Sequence, residues 1–229
     1  MEAADREKLS AAFLLRKEVY LFIASIFRKE PDLEAFAKMK IISGKIDSYV
    51  EFWATQEFIA GLREINKYFA DEYESAVSEL QTEFARIFYG IDKSSAVYPY
   101  ESVYLSPQRL LMQEPRDEVV ECYAAYKLTL NSDFKEPEDH ISCELYFMSY
   151  LYGMAAEALK SDSIGEVSHC TESAYNFICN HLIRWVESLS SDLEKCGCSF
   201  YSATGVILSQ FIKEDKDFLD DFRKLFLNN

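Results

Sequence analysis

Apolar residues recur every three or four positions along most of the chain, and the strict alternation of a half-buried strand is rare. This period is typical of amphipathic helices, so almost every segment is predicted to be helical. One predicted helix begins at a cap formed by Asp47 or Ser48 and carries the apolar residues from Phe52 to Leu62. The other predicted helices run over about residues 5–27, 31–41, 72–89, 107–113, 115–130, 137–160, 166–195, 200–213 and 216–227.

The chain of 229 residues contains only 7 glycines and 5 prolines, which leaves few residues for the many tight turns of an all-β fold. We therefore predict an all-α fold, a single helical bundle of about nine or ten helices. Residues 1–229 are expected to form one domain, or two closely packed lobes with a hinge near 131–136.

Two stretches interrupt the helical period, residues 91–107 and residues 131–136. Loops on a rigid scaffold often carry function, so we expect a functional site at these two stretches. The tyrosines Tyr98, Tyr100 and Tyr104 of the first stretch have two interpretations. They fill the end of the bundle as a packed corner, or their rings form the wall of a groove for a partner.

The formal net charge of −15 excludes some classes of partner. Such a surface repels phosphate and anionic lipid, so neither nucleic acid nor a membrane surface is an expected partner, and a basic peptide is favoured. Charges at residues 16–18 interrupt the N-terminal apolar run, and no window is long and apolar enough to span a membrane. We therefore expect a cytoplasmic protein whose six cysteines are reduced.

The segment KEPEDHISCELYFM, residues 135–148, has the composition of a helix start. Pro137 suits the first helical position, and Glu138 and Asp139 suit the first turn, where carboxylates face the positive end of the helix dipole. This interpretation does not require His140. From the residues alone, a functional role for the segment and simple capping both remain open.

Metal and catalytic sites have weak support in the sequence. The pair Glu166 and His169 has the spacing of a di-iron ligand pair, but no second pair accompanies it, and His181 is interpreted as a core or interface histidine. No glycine-rich phosphate loop and no nucleophile elbow occur. A dyad of Asp139 and His140 could serve a small hydrolase or nucleotide-binding enzyme, which we keep as the alternative to a binding protein with no catalytic residues, metal or cofactor.

Two motifs together resemble the TorD/DmsD family of redox-enzyme maturation chaperones: PYESVYL at 99–105 and EPEDHISCELYFM at 136–148. Supporting similarity comes from EFARIFYG at 83–90, HLIRWVESL at 181–189 and FY at 200–201. The motifs cover about residues 80–201, and the remainder is similar in helical pattern only.

The resemblance implies a cytoplasmic, all-helical chaperone of a molybdenum-cofactor oxidoreductase. Such a protein binds the twin-arginine signal peptide and the apo-subunit, and it delays export until the cofactor is inserted. Family members are found as monomers or as dimers that exchange helices, and some are reported to bind guanine nucleotide. The peptide-binding residues implied by position are Phe84, Ile87, Phe88, Pro99, Tyr100, Pro137, Asp139 and His140.

The chemistry of a twin-arginine peptide fits these residues. Its guanidinium groups would pair with the acids Glu136, Glu138 and Asp139, and its apolar segment would lie on the rings. We therefore expect the two irregular segments to meet in a negatively charged cleft lined by rings. Replacing Asp139 and His140 by alanine is expected to weaken peptide binding with little change in melting temperature. A third interpretation, an assembly factor for a non-exported reductase, predicts binding to the mature subunit without its leader.

Overall fold

The computed structural model of the protein describes residues 3–70 and 72–226, and in these residues the chain forms ten α-helices. The prediction of an all-α fold is confirmed, because the described residues contain one isolated β-bridge and no strand. A π-helical segment, Ile178–Leu182, joins α8 to α9, and a short 3₁₀ helix covers Val50–Phe52. The helices are α1 Ala3–Arg28, α2 Leu33–Asp47, α3 Gln56–Ala70, α4 Tyr73–Phe88, α5 Glu101–Leu105, α6 Glu114–Ala125, α7 Ile141–Lys160, α8 Ile164–Phe177, α9 Ile183–Glu194 and α10 Ser199–Phe226.

The most extensive helix packing joins α1 to α7, and α10 packs against α3 and α9. The apolar positions that define the period of α1 are the ones that lie inside: Phe13, Val19, Phe22, Ile23 and Phe27 are buried, and Leu9 is half-buried. Buried apolar side chains from these helices form one continuous cluster. The division of the chain into one domain or two lobes stays a prediction, as does the hinge near 131–136.

Asp215 is fully buried in α10 and connects three helices. Tyr20 of α1 and Tyr152 of α7 each donate a hydrogen bond of 2.5 Å to its carboxylate. Nε of Arg16 lies 2.9 Å from the carboxylate, and the guanidinium lies 3.4 Å from the centroid of the Phe218 ring. Burial raises the pKa of Asp215, while Arg16 and the two hydroxyls oppose that shift. This network fixes how α1, α7 and α10 pack together.

Two predicted breaks in helices are absent. The predicted end near residue 41 was wrong, because α2 continues to Asp47 through Ser43, whose buried hydroxyl donates to Asn66 at 2.6 Å. The last two predicted helices form a single α10, because Asp215, which we placed at the break, is the buried residue described above. The predicted end at Leu227 lies outside the described residues.

The connections on either side of α6 also differ from the prediction. Residues 107–113 are not helical, and Arg109 and Met112 there have φ angles of 53° and 60°. Helix α6 ends at Ala125 and not near residue 130, since Lys127 takes a φ of 56° that stops the helix. The helix α5 occupies part of the stretch that was predicted to be irregular. The helix predicted from Asp47 or Ser48 instead begins at Gln56. None of the described helices is long and apolar enough to cross a membrane.

Replacing Asp215 by alanine is expected to lower the free energy of unfolding by about 3–5 kcal/mol, because the change leaves Arg16 buried without its counter-charge. Urea denaturation followed by circular dichroism measures this loss. The exposed Asp217 of the same helix is the matched control, and its replacement by alanine should stay within about 0.5 kcal/mol of the parent. Equal effects of the two substitutions would show that the buried network contributes nothing specific.

Candidate binding cleft

The two irregular segments meet side by side, as the sequence predicted. Tyr100 and His140 form an isolated antiparallel bridge. The N–H of Ile141 donates to the carbonyl of Pro99 at 2.9 Å, and the N–H of Glu101 donates to the carbonyl of Asp139 at 3.0 Å. These backbone bonds place the start of α5 directly against the start of α7.

Asp139 is fully buried at this junction, and its side chain faces the interior. One carboxylate oxygen accepts hydrogen bonds from the backbone N–H of Ser102, at 2.8 Å, and from the hydroxyl of the same residue. Ser102 is the second residue of α5, the position that a capping side chain normally satisfies. Asp139 therefore caps α5 from a different segment of the chain.

A group of buried polar side chains lies next to Asp139. Nδ1 of His181 lies 3.0 Å from a carboxylate oxygen of Glu101, and Nε2 lies 3.8 Å from the sulfur of Cys122. Trp185 donates a hydrogen bond of 3.3 Å to Glu144. Burial lowers the pKa of His181, but the contacts with Cys122 and Glu101 outweigh it and raise the pKa to about 9. His181 is thus a core histidine, one of the two possibilities that the sequence left open, and its positive charge compensates Glu101.

His140 caps α7, whose start the sequence placed four residues earlier. Helix α7 begins at Ile141 and not at Pro137, and Nδ1 of His140 accepts a hydrogen bond from the N–H of Ser142 at 3.2 Å. Burial lowers the pKa of His140 to about 3, so the ring is neutral. Since Nδ1 accepts, the ring hydrogen lies on Nε2, and His140 offers a hydrogen-bond donor on its other edge.

A cleft of about 720 Å³ opens beside the junction. Its walls come from the end of α1, the first half of α2, the end of α4, residues 133–136 and the side chains of Tyr100, His140 and Tyr146. The rings of Phe84 and Phe88 lie 4.8 Å apart at the end of α4. The cleft therefore combines an aromatic wall with a loop that carries polar groups.

The tyrosines of residues 91–107 divide between the two interpretations that the sequence left open. Tyr104 packs as in a corner, with its ring stacked on Trp185 at 5.4 Å. Tyr100 lines the cleft, and its hydroxyl donates a hydrogen bond of 2.6 Å to Glu136. Tyr98 is 49% exposed and does not line the cleft.

The charges in the cleft are mixed, so the expectation of a negatively charged cleft was wrong. Four acids line it (Asp32, Glu34, Asp133 and Glu136) together with four bases (Arg28, Lys29, Lys38 and Lys135). Two exposed pairs form along the chain, Lys29 with Asp32 at 2.7 Å and Lys38 with Glu34 at 2.6 Å. Within the described part of the chain, the other two acids, both in residues 133–136, form no salt bridge, and they are the carboxylates available to a cationic ligand.

Of the predicted site residues, the structure brings six to the cleft: Phe84, Phe88, Pro99, Tyr100, Glu136 and His140. It does not bring Ile87, Pro137, Glu138 or Asp139 there. Ile87 is fully buried in the core, and Glu138 accepts a hydrogen bond of 2.7 Å from Arg116 of this chain. Asp139 and Glu138 are therefore engaged within the protein.

Sequence reasoning missed several parts of the lining of the cleft: the end of α1, the start of α2, Phe134 and Tyr146. Exposed polar residues on a helix carry no signal of their own. A weak signal was available in the capping residue Asp32, which accepts from the N–H of Ala35 at 2.7 Å and marks where α2 begins.

The acid–base dyad of the hydrolase alternative is not assembled. The carboxylate of Asp139 binds Ser102, and the imidazole of His140 binds Ser142, so the two side chains have separate partners. All six cysteines are free thiols. In residues 3–70 and 72–226, no three histidine, cysteine or acidic side chains are grouped as metal ligands would be.

Comparison with known proteins gives consistent relatives. Residues 54–191 match a family described as the nitrate reductase delta subunit. The chain is 30% identical over 213 residues to the chaperone protein TorD of Vibrio atlanticus, which covers 89% of this chain and 94% of that protein. It is 27% identical over 216 residues to the chaperone protein TorD of Vibrio cholerae serotype O1, which covers 90% and 92%. A crystal structure of a candidate redox enzyme maturation protein from Archaeoglobus fulgidus matches with a TM-score of 0.49 and 19% identity, over 90% of this chain and 93% of that one.

Replacing Asp139 by alanine is expected to lower the free energy of unfolding by about 1–3 kcal/mol, because α5 loses its cap and the N–H of Ser102 stays buried without a partner. This corrects the expectation that the loop could be changed with little effect on melting temperature. Thermal unfolding measures the loss, and Asp133→Ala, at an exposed position, is the control. Equal melting temperatures for the two variants would show that Asp139 has no structural role.

The contact between His181 and Glu101 predicts a dependence of stability on pH. Since the pKa of His181 is about 9 in the folded protein and about 6.5 in an unfolded chain, its contribution is complete below pH 6.5 and is lost as the pH rises to 9. The full contribution is on the order of 1–3 kcal/mol. Urea titrations of the parent and of Glu101→Gln across this range isolate the part of this contribution that Glu101 supplies, because Cys122 contacts His181 in both proteins. Parallel curves for the two proteins would refute the assignment.

Proposed function

The chain belongs to the TorD family of redox-enzyme maturation chaperones, which includes the nitrate reductase delta subunits, and on that premise we propose that it is a system-specific chaperone. Its client is an oxidoreductase that carries the molybdenum cofactor. The protein binds the twin-arginine signal peptide and the apo-subunit of this client in the cytoplasm, and it assists cofactor insertion before export. It acts by binding and not as an enzyme.

The observation that carries the proposal is the cleft, which combines the rings at the end of α4 with two carboxylates that form no salt bridge with any described residue, beside two loops held together by backbone hydrogen bonds. A twin-arginine leader presents two guanidinium groups and then an apolar segment. Its arginines match the carboxylates of residues 133–136, and its apolar segment matches the rings at the end of α4. Because the loops are fixed before the peptide arrives, little ordering is needed on binding.

Glu136 is the best placed partner for an arginine. Its side chain is half-buried and lines the cleft, and one carboxylate oxygen is oriented by the hydroxyl of Tyr100 at 2.6 Å. A hydrogen bond to a charged group in such a site is stronger than an exposed ion pair. In this proposal Glu136 and Asp133 pair with the arginines of the leader. From the sequence, that role was expected of Glu136, Glu138 and Asp139.

His140 has a different role from the acids. It is neutral and carries its ring hydrogen on Nε2, and it lines the cleft. A neutral donor suits a carbonyl oxygen of the peptide backbone and not a guanidinium group, which has donors only. His140 therefore helps to position the main chain of the leader, while Pro99 and Tyr100 form the floor beside it.

The alternatives differ in what they require. A hydrolase that uses Asp139 and His140 has no supporting observation, because the two side chains have separate partners. The binding of guanine nucleotide and the exchange of helices between two copies remain expectations from the family. An assembly factor for a non-exported reductase would use the same cleft on a mature subunit, so binding measured with and without the leader separates it from the proposal.

Replacing Glu136 by glutamine is expected to weaken binding of a synthetic twin-arginine leader peptide by about tenfold, since one charge-assisted bond of about 1.4 kcal/mol is lost. Isothermal titration calorimetry on the folded protein measures the change. The control is Glu194→Gln, the same chemical change at an exposed position of α9 outside the cleft.

The peptide itself supplies a second control. Exchange of both arginines for lysine should weaken binding to the parent protein but have a smaller effect on Glu136→Gln, because lysine cannot make the planar two-point contact that arginine makes with a carboxylate. If Glu136→Gln and Glu194→Gln bind the arginine peptide equally well, the cleft is not the arginine site.

A further inference from the structure

A second pocket of about 350 Å³ lies beside the cleft, between residues 128–131 and α7. Most of its wall is apolar or aromatic, including Tyr123, Leu128, Leu130, Phe147 and Tyr150. Arg28 is the one charged side chain among the described residues that line it. The second pocket is therefore suited to an apolar group, whereas the cleft carries eight charged side chains.

The second pocket lies next to the cleft. Arg28, Phe134 and Tyr146 line both cavities, so these three side chains form the partition between them. Phe134 and Tyr146 are half-buried, and the guanidinium carbon of Arg28 lies 5.8 Å from the centroid of the Tyr146 ring. The ring of Phe134 also lies 5.7 Å from His140, which connects the partition to the loop junction. The cleft and the second pocket thus share one boundary, with charged side chains on one side and a mostly apolar wall on the other, and the two together are called the groove.

Arg28 gives this groove a direction. Carboxylates line the cleft and none lines the second pocket among the described residues, so the arginines of a leader are favoured on the side of Glu136, and Arg28 at the partition repels them from the second pocket. No such repulsion acts on an uncharged segment, which gains by removing its side chains from water in the second pocket. The groove therefore has a charged part followed by an apolar part. A twin-arginine leader has the same order along its chain, with basic residues first and apolar residues after them.

We propose that the second pocket binds a large apolar side chain from the segment that follows the two arginines of the leader. The proposal rests on the proposed function and extends it to the identity of one side chain in the leader. The rings of Phe84 and Phe88 then contact the part of the apolar segment next to the arginines, and the second pocket takes a side chain from the part that follows. Clients of this protein should therefore carry leucine or phenylalanine, and not a small or polar residue, at the position that reaches the second pocket.

The test compares Leu130→Glu with the parent protein. Leu130 is half-buried at the rim, so a glutamate there puts a charge at the mouth of the pocket without opening the core. The probes are a synthetic peptide of two arginines followed by a leucine-rich segment, and versions in which single leucines are replaced by serine. Ile164→Glu, an exposed change at the first residue of α8, is the matched control.

Leu130→Glu should weaken binding of the leucine peptide by about tenfold or more, and Ile164→Glu should leave it unchanged. One leucine-to-serine peptide should lose a similar factor with the parent and almost nothing further with Leu130→Glu, because both changes remove the same contact. Additive losses would overturn the proposal. Thr129→Trp, which places a ring over the pocket from an exposed position, replaces Leu130→Glu if that variant does not fold.

A photoreactive phenylalanine in the apolar segment of the peptide supplies the second readout. Adducts mapped by mass spectrometry to residues 128–131 or to Phe147 and Tyr150 support the proposal. Adducts confined to Phe84 and Phe88 overturn it, and the proposed function then still stands if Glu136→Gln weakens binding. Failure of every leader peptide to bind the parent protein overturns both proposals.

Discussion

The hydrogen bonds that Asp139 accepts from Ser102 are the interaction on which the site depends. A buried polar side chain without partners is costly, and Asp139 is fully buried, so its contacts with the N–H and hydroxyl of Ser102 hold it in place. The same contacts cap α5 and lock residues 99–101 against residues 139–141. His140 and Glu136, on either side along the chain, reach the cleft because Asp139 points inward. Asp139, which the sequence assigned to arginine binding, thus acts by fixing the loop on which Glu136 and His140 lie.

The period of apolar residues correctly predicted the helices that bury a full apolar stripe. It failed at segments whose secondary structure is set by backbone conformation and not by burial. The stripes of α1 and α7 are buried as expected, because burial of large side chains dominates the free energy of those helices. Residues 107–113 contain apolar side chains but lie in an irregular segment, with Leu110 and Met112 exposed by 55% and 58%. In the sequence, Asp215 has the polarity expected of a break between two helices. Only the approach of Tyr20 and Tyr152 from distant parts of the chain makes it a core residue.

The location of the site could be predicted from the sequence, but the contacts that its side chains make could not. Two interruptions of the helical period located the cleft, since loops that share one end of a bundle meet there. Local sequence gave no means of deciding whether an acid faces solvent or a neighbour. Glu138 is occupied by Arg116, and Asp139 by Ser102, so two of the three acids assigned to arginine binding serve the protein itself. The net charge of −15 likewise describes the whole surface, whereas the cleft carries as many bases as acids.

The π-helical segment Ile178–Leu182 changes the geometry of the long helix that contains it. A π turn takes up one more residue than an α turn, and each residue of an α-helix rotates the side-chain direction by about 100°. The face that α8 turns toward α7 is therefore not continued along α9, which packs mainly against α5 and α10 and reaches α7 through the hydrogen bond from Trp185 to Glu144. His181 lies within the π turn that makes the change. A homologue with a regular helix here would differ by a single-residue gap in the middle of an unbroken helix. Aligned without that gap, its position equivalent to His181 would be shifted out of register with Glu101.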